Sequence, residues 1–93
     1  MIRSFKCSET QKIWEGKVSK KLHFDIQQVA RRKLRMLNNA HILNDLRIPP
    51  ANRLEPLRGN RVNQWSIRIN NQWRVCFYWH DGDVSDVEIV DYY

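Results

Sequence analysis

Between Asn52 and Val75 the chain reads N-R-L-E-P-L-R-G-N-R-V-N-Q-W-S-I-R-I-N-N-Q-W-R-V, with five arginines, two tryptophans and no lysine. The arginines are Arg53, Arg58, Arg61, Arg68 and Arg74. A guanidinium stays protonated and makes planar, paired bonds to phosphate oxygens, whereas lysine is a flexible point charge. The lysines lie elsewhere: all six fall between Lys6 and Lys33, and from Arg47 onward there are six arginines and none. The chemistry this pattern suits is gripping phosphates in a defined geometry.

Arg68 and Arg74 flank a tight reversal in the same alternation phase, which makes them near neighbours on one sheet face. Two guanidinium groups held close repel unless an anion lies between them. A shared phosphate would serve. So would a carboxylate for each from the last strand, where Asp86, Glu88 and Asp91 are available. The sequence leaves both open.

The elements that must position these groups follow from periodicity. Ile2 to Lys6 reads as a short strand. Ser8 can cap a short helix carrying Ile13 and Trp14, which ends near Gly16. Lys17 to His23 is basic and aperiodic, hence a loop. Asp25 can cap a main helix over about 26–37, whose apolar face is Ile26, Val29, Ala30, Leu34 and Leu37. Arg31, Arg32 and Arg35 lie off that face, either as a solvated surface or as a second phosphate-binding one. Asn38-Asn39 breaks the helix, Ala40 to Leu46 forms another turn or two, and Pro49-Pro50 forces an extended exit. A short strand at about 53–57 precedes a meander of Trp65–Asn70, Trp73–His80 and Val84–Tyr92. Asp81-Gly82 marks one hairpin, and Asn70-Asn71-Gln72 marks the other through asparagine's tolerance of left-handed backbone. The fold class is α+β: an N-terminal strand and two helices packed on a twisted antiparallel sheet.

Ninety-three residues make a single domain, 1–93, with a small core. A formal charge of +6 and a pI near 9.8 point to an anionic partner. Cys7 and Cys76 form no metal-type cluster, so neither metal nor cofactor is expected. No apolar run approaches the ~20 residues that span a bilayer. With no signal peptide at the N-terminus, two free thiols in the cytoplasm are the default, a disulfide remaining open.

The arginine-rich motifs also resemble a known family. R-L-x-P-L-x-G-x-R (53–61), W-S-I-R-I-N (65–70), W-R-V-x-F-x-W (73–79) and V-x-I-x-D-Y (87–92) are similar, as a spaced set covering nearly the whole chain, to the HigB branch of the RelE/ParE toxin superfamily. The resemblance implies a RelE-like fold and a toxin that enters the ribosomal A site and cleaves mRNA there. It implies as partners a HigA-type helix-turn-helix antitoxin, the 70S ribosome and mRNA. Arg74 falls on the family's phosphate-stabilising arginine, and Asp91 and Tyr92 on its catalytic or positioning D-Y. This chain has Glu55-Pro56-Leu57-Arg58 where several relatives have H-P-L-K, and ends Asp91-Tyr92-Tyr93 where several end D-Y-H. Either Glu55 or Asp91 is then left as base, and Arg58 replaces lysine by charge alone. Arg53, Arg61, Arg68 and Tyr93 complete the expected RNA-binding surface. The rival expectations are a non-enzymatic gyrase inhibitor like the ParE toxins and a plain ribosome- or RNA-binding module.

Overall fold

The computed structural model describes residues 1–91; Tyr92 and Tyr93 lie outside the described residues. Helix α1 (Ser8–Trp14) begins one residue earlier than a serine cap would allow, since Cys7 occupies the cap position and Ser8 is already helical. It ends where Gly16 takes φ +85°. There the amides of Gly16 and Lys17 return to the carbonyls of Ile13 and Lys12, at 3.1 and 2.8 Å. Glycine reaches that left-handed geometry without a Cβ clash, which explains the sharp stop.

Helix α2 (Gln27–Asn39) starts behind a 3-10 turn, Phe24–Ile26, that absorbs Asp25; no side chain caps it. It runs through both asparagines before stopping at Ala40, two residues beyond the break expected there. Ile26, Ala30, Leu34 and Leu37 are buried as the periodicity requires. The aperiodic loop before it is ordered by polar contacts that periodicity cannot reveal. Gln27 donates through Nε2 to the carbonyls of Ser19 (2.8 Å) and Leu22 (3.0 Å) and accepts from the Ser19 amide (3.1 Å). Ser19 Oγ in turn donates to Glu9 Oε1 at 2.6 Å. Arg31, left open between solvent and phosphate, is turned inward, donating to the carbonyls of Ile13 (3.0 Å) and Lys17 (3.4 Å).

Strands β1 (Glu55–Pro56), β2 (Gln64–Arg68), β3 (Trp73–His80) and β4 (Asp83–Asp91) form an antiparallel sheet in that order. The N-terminal segment joins β4 in parallel through bridges at Ile2↔Val84 and Phe5↔Val87. Between these bridges β4 carries a bulge. Asp86 sits at φ +50°, and its amide donates to Ser4 Oγ at 2.9 Å, so the first residues clamp the irregularity. The Asp81-Gly82 hairpin has both residues left-handed, as its type requires. The other reversal works differently from expectation: no left-handed asparagine is used at 70–71. Asn70 Oδ1 instead accepts the amides of Gln72 and Trp73, each at 2.8 Å, replacing backbone strain with a side-chain turn.

Both helices cover one face of the sheet. Phe77, fully buried, meets Ile13, Leu34, Leu37, Ile67, Val75, Val84 and Val87 in the core there. Its removal as Phe77→Ala is expected to cost about 3–5 kcal/mol in urea denaturation. Glu9 supplies a pH test. Hydrogen bonds from Ser19 and then Lys12 hold its carboxyl below the ordinary value. A depressed folded pKa gives stability that is present above the unfolded pKa and is lost as pH falls through the folded one. Melting temperature should therefore drop on acidification below about pH 4.5, and less steeply in Glu9→Gln.

Candidate nucleic-acid interface

The sheet's other face is built by strand alternation alone. Register places Glu55, Ser66, Cys76 and Glu88 in one row across the four strands, and Arg68, Arg74 and Val90 in the next. Arg68 and Arg74 are direct cross-strand partners, as their phase predicts.

Arg74 is the most constrained of the arginines, with 7% of its surface exposed. Its Nη1 donates to Ser66 Oγ at 2.6 Å and to the Arg53 carbonyl at 3.4 Å, while Nη2 stands 3.4 Å from Glu55 Oε1. The Arg53 carbonyl reaches it because Arg53 itself is left-handed (φ +46°) where the 3-10 turn Pro50–Asn52 enters β1. That entry is fixed from behind by Asn52. This wholly buried residue donates to the carbonyls of Leu46 (3.1 Å) and Ile48 (3.4 Å) and accepts from Lys33 Nζ (2.6 Å). A sequence-distant loop and helix α2 thus set where Arg74 points.

Among the described residues, the carboxylate paired with Arg74 comes from β1, an element the sequence had not offered for this pairing. Glu88 is held by Arg61 Nη1 at 2.6 Å, with Lys6 Nζ at 3.9 Å, and this bond raises the Arg61 pKa. Asp86 is engaged with Ser4. Arg68 donates to Asn71 Oδ1. Arg58 and Arg61 line an open groove of about 520 Å³ together with Glu55, Pro56 and Leu57. Among the described residues, the exposed side chains of Arg53 and Arg58 have no ion pair. Among the described residues, the five arginines of this region outnumber the carboxylates Glu55 and Glu88 that pair with them, which leaves it positive.

Asp91 is placed otherwise. It is the register partner of Trp73, one step out of phase with Arg74, and its Oδ2 accepts from Gln72 Nε2 at 2.9 Å. The alternation therefore assigns it to the Trp73 side of β4. Tyr92 and Tyr93, expected beside it, fall outside the described residues. Ser66 was not singled out by sequence, although its alternation with Ile67 already put it in phase with Arg68.

The chain has relatives in both sequence and fold. The family model for the RelE-like toxin HigB of type II toxin-antitoxin systems matches residues 3–93. The chain belongs to this HigB-like toxin family. A Vibrio cholerae protein named Toxin HigB-1 is 49% identical over 57 residues, which cover 61% of this chain and 60% of that protein's length. Endoribonuclease HigB of Proteus vulgaris is 27% identical over 93 residues, spanning all of both chains. In fold, the toxin superposes on the crystal structure of a YafQ mutant from E. coli with TM-score 0.62 at 19% identity, covering 99% of this chain and 92% of that one. A toxin of a type II system has an antitoxin as partner. Among the described residues no helix is long and apolar enough to cross a membrane.

Cys76, between Ser66 and Glu88 in the outer row, is fully buried, and burial pushes its thiol pKa up. It is a packing residue and not a nucleophile. Thiol labelling of the native toxin with iodoacetamide should modify Cys7 while sparing Cys76 until the protein is unfolded; rapid native labelling of Cys76 would contradict this placement.

Proposed function

We propose that this toxin is a ribosome-dependent mRNA endonuclease, a single domain over 1–93 that acts in the ribosomal A site of the cytoplasm and is neutralised by a HigA-type antitoxin. The observation that carries the reading is the buried Arg74 guanidinium, fixed on the positive outer face beside the groove of Arg58 and Arg61. The name of its Proteus vulgaris relative, an endoribonuclease, supports the same activity.

The reaction is attack of a ribose 2′-hydroxyl on the adjacent phosphorus. The 2′-O–P bond forms and the P–O5′ bond breaks. The hydroxyl proton leaves to a base, and the departing 5′-oxygen gains one. Charge accumulates on the non-bridging oxygens as the bonds exchange, and fixed cations there act most strongly because they need no reorganisation. Arg74 serves that role, and Arg58 and Arg68 add positive potential. Arg58 keeps its proton at any working pH, so it stabilises charge without donating. Arg53 and Arg61 bind the flanking phosphates. Asp91, at the last position of β4, orients the RNA together with Tyr92 and Tyr93, an aromatic stack being worth about 1–3 kcal/mol per base.

Induction of Arg74→Ala should leave growth and mRNA intact, with a melting profile showing a folded protein. Primer extension after wild-type induction should give codon-phased cuts that vanish when translation is blocked. DNA damage with intact mRNA would instead indicate a gyrase inhibitor, and ribosome binding without cuts a plain binding module. Affinity for single-stranded RNA should fall with salt, and Arg68→Ala should reduce the log–log slope by about 0.7.

A further inference from the structure

We infer that Ser66 is a positioning residue for Arg74, and that Glu55 is the exchangeable counter-ion displaced by the substrate phosphate and not the acceptor of the 2′-hydroxyl proton. The inference rests on the reading of Arg74 as the phosphate's partner.

The two ends of the guanidinium are held in contrasting ways. On the Nη1 end the partners among the described residues are a buried hydroxyl and a backbone carbonyl. Ser66 has no exposed surface, stands mid-strand between Glu55 and Cys76, and accepts at 2.6 Å. The Arg53 carbonyl is turned toward the same nitrogen by a left-handed backbone, a conformation uncommon outside glycine. Buried hydroxyls and guanidinium N–H groups must find partners, so this pairing satisfies both and fixes the plane of the guanidinium.

Among the described residues, the Nη2 end meets a loosely held carboxylate. Glu55 is 3.4 Å away, longer than the roughly 2.8 Å of a tight charge-assisted bond. Its side chain is 48% exposed against 9% for Arg74. It also lines the groove with Arg58 and Arg61, so it can swing into solvent. An anionic phosphate arriving at Nη2 repels Glu55 and takes over its cation. A carboxylate spent on that exchange, with its oxygen aimed at a guanidinium, is badly placed to receive a hydroxyl proton.

The measurement is cleavage of mRNA on programmed ribosomes by Ser66→Ala, Ser66→Thr, Glu55→Gln and Arg74→Ala, each with a thermal melt. Ser66→Ala should lower kcat about 10- to 100-fold with KM nearly constant, since a misdirected group costs rate more than binding. Ser66→Thr, which restores the oxygen, should recover most of it. Should Ser66→Ala lose its fold, Ser66→Cys keeps the size with a weak acceptor and carries the same test. Glu55→Gln should lower KM about two- to fivefold, the range of an exposed ion pair. Wild-type rates in Ser66→Ala, or no rescue by threonine, overturn the positioning role. A loss of about 100-fold or more in kcat for Glu55→Gln, with a flattened pH profile, makes Glu55 the base and overturns the counter-ion role. Normal cleavage by Arg74→Ala defeats the functional reading itself, separately from the Ser66 and Glu55 assignments.

Discussion

A buried cation needs a reason to stay buried, and Arg74 organises much of this protein around that need. Removing a guanidinium from water is costly unless its N–H groups are satisfied and its charge is opposed. Ser66, the Arg53 carbonyl and Glu55 supply those conditions from β2, the entry to β1 and β1 itself. Each supplier depends on more of the chain. Ser66 is placed by the alternation that sends Ile67 into the core, and Arg53 by the buried Asn52 that ties its loop to Lys33 on α2. By this route the helical layer bears on the outer face.

The same constraint explains why the positive face is not simply a solvated one. Arg61 is drawn onto Glu88 and Arg74 onto Glu55, which keeps the sheet from being split by its own charge. Arg53 and Arg58 remain exposed at the rim, where they attract an anion without having to shed a partner among the described residues. A polyanion thus meets an outer ring of solvated charge first and a rigid inner cation second. Such an order suits fast capture followed by exact alignment of one phosphate.

Much of this was legible in the residues. Strand phase alone put Trp65, Ile67, Val75 and Phe77 on the core side and paired Arg68 with Arg74, because a period of two leaves little freedom. The α+β layering and the Asp-Gly hairpin were equally direct. What escaped was set by contacts between residues far apart in sequence or by side chains substituting for backbone. The ordering of 17–23 depends on Gln27 and Glu9, and the Asn70 turn on its own side chain. In the site, the identity of Arg74's carboxylate could not be read, since β1 is two residues long and gives almost no pattern. The register partner of Asp91, Trp73, was likewise not read from the motif that named Asp91.

The central claim is that Arg74 exchanges Glu55 for the phosphate to be cleaved. The direct measurement is a structure of the toxin on a ribosome whose A-site codon carries 2′-O-methyl riboses, so that binding occurs without cleavage. The account predicts an Arg74 nitrogen about 3 Å from a non-bridging oxygen of the scissile phosphate, with Ser66 still bonded to Nη1 and Glu55 moved away. An Arg74 still paired with Glu55, and an mRNA phosphate bound elsewhere on the sheet, would contradict it.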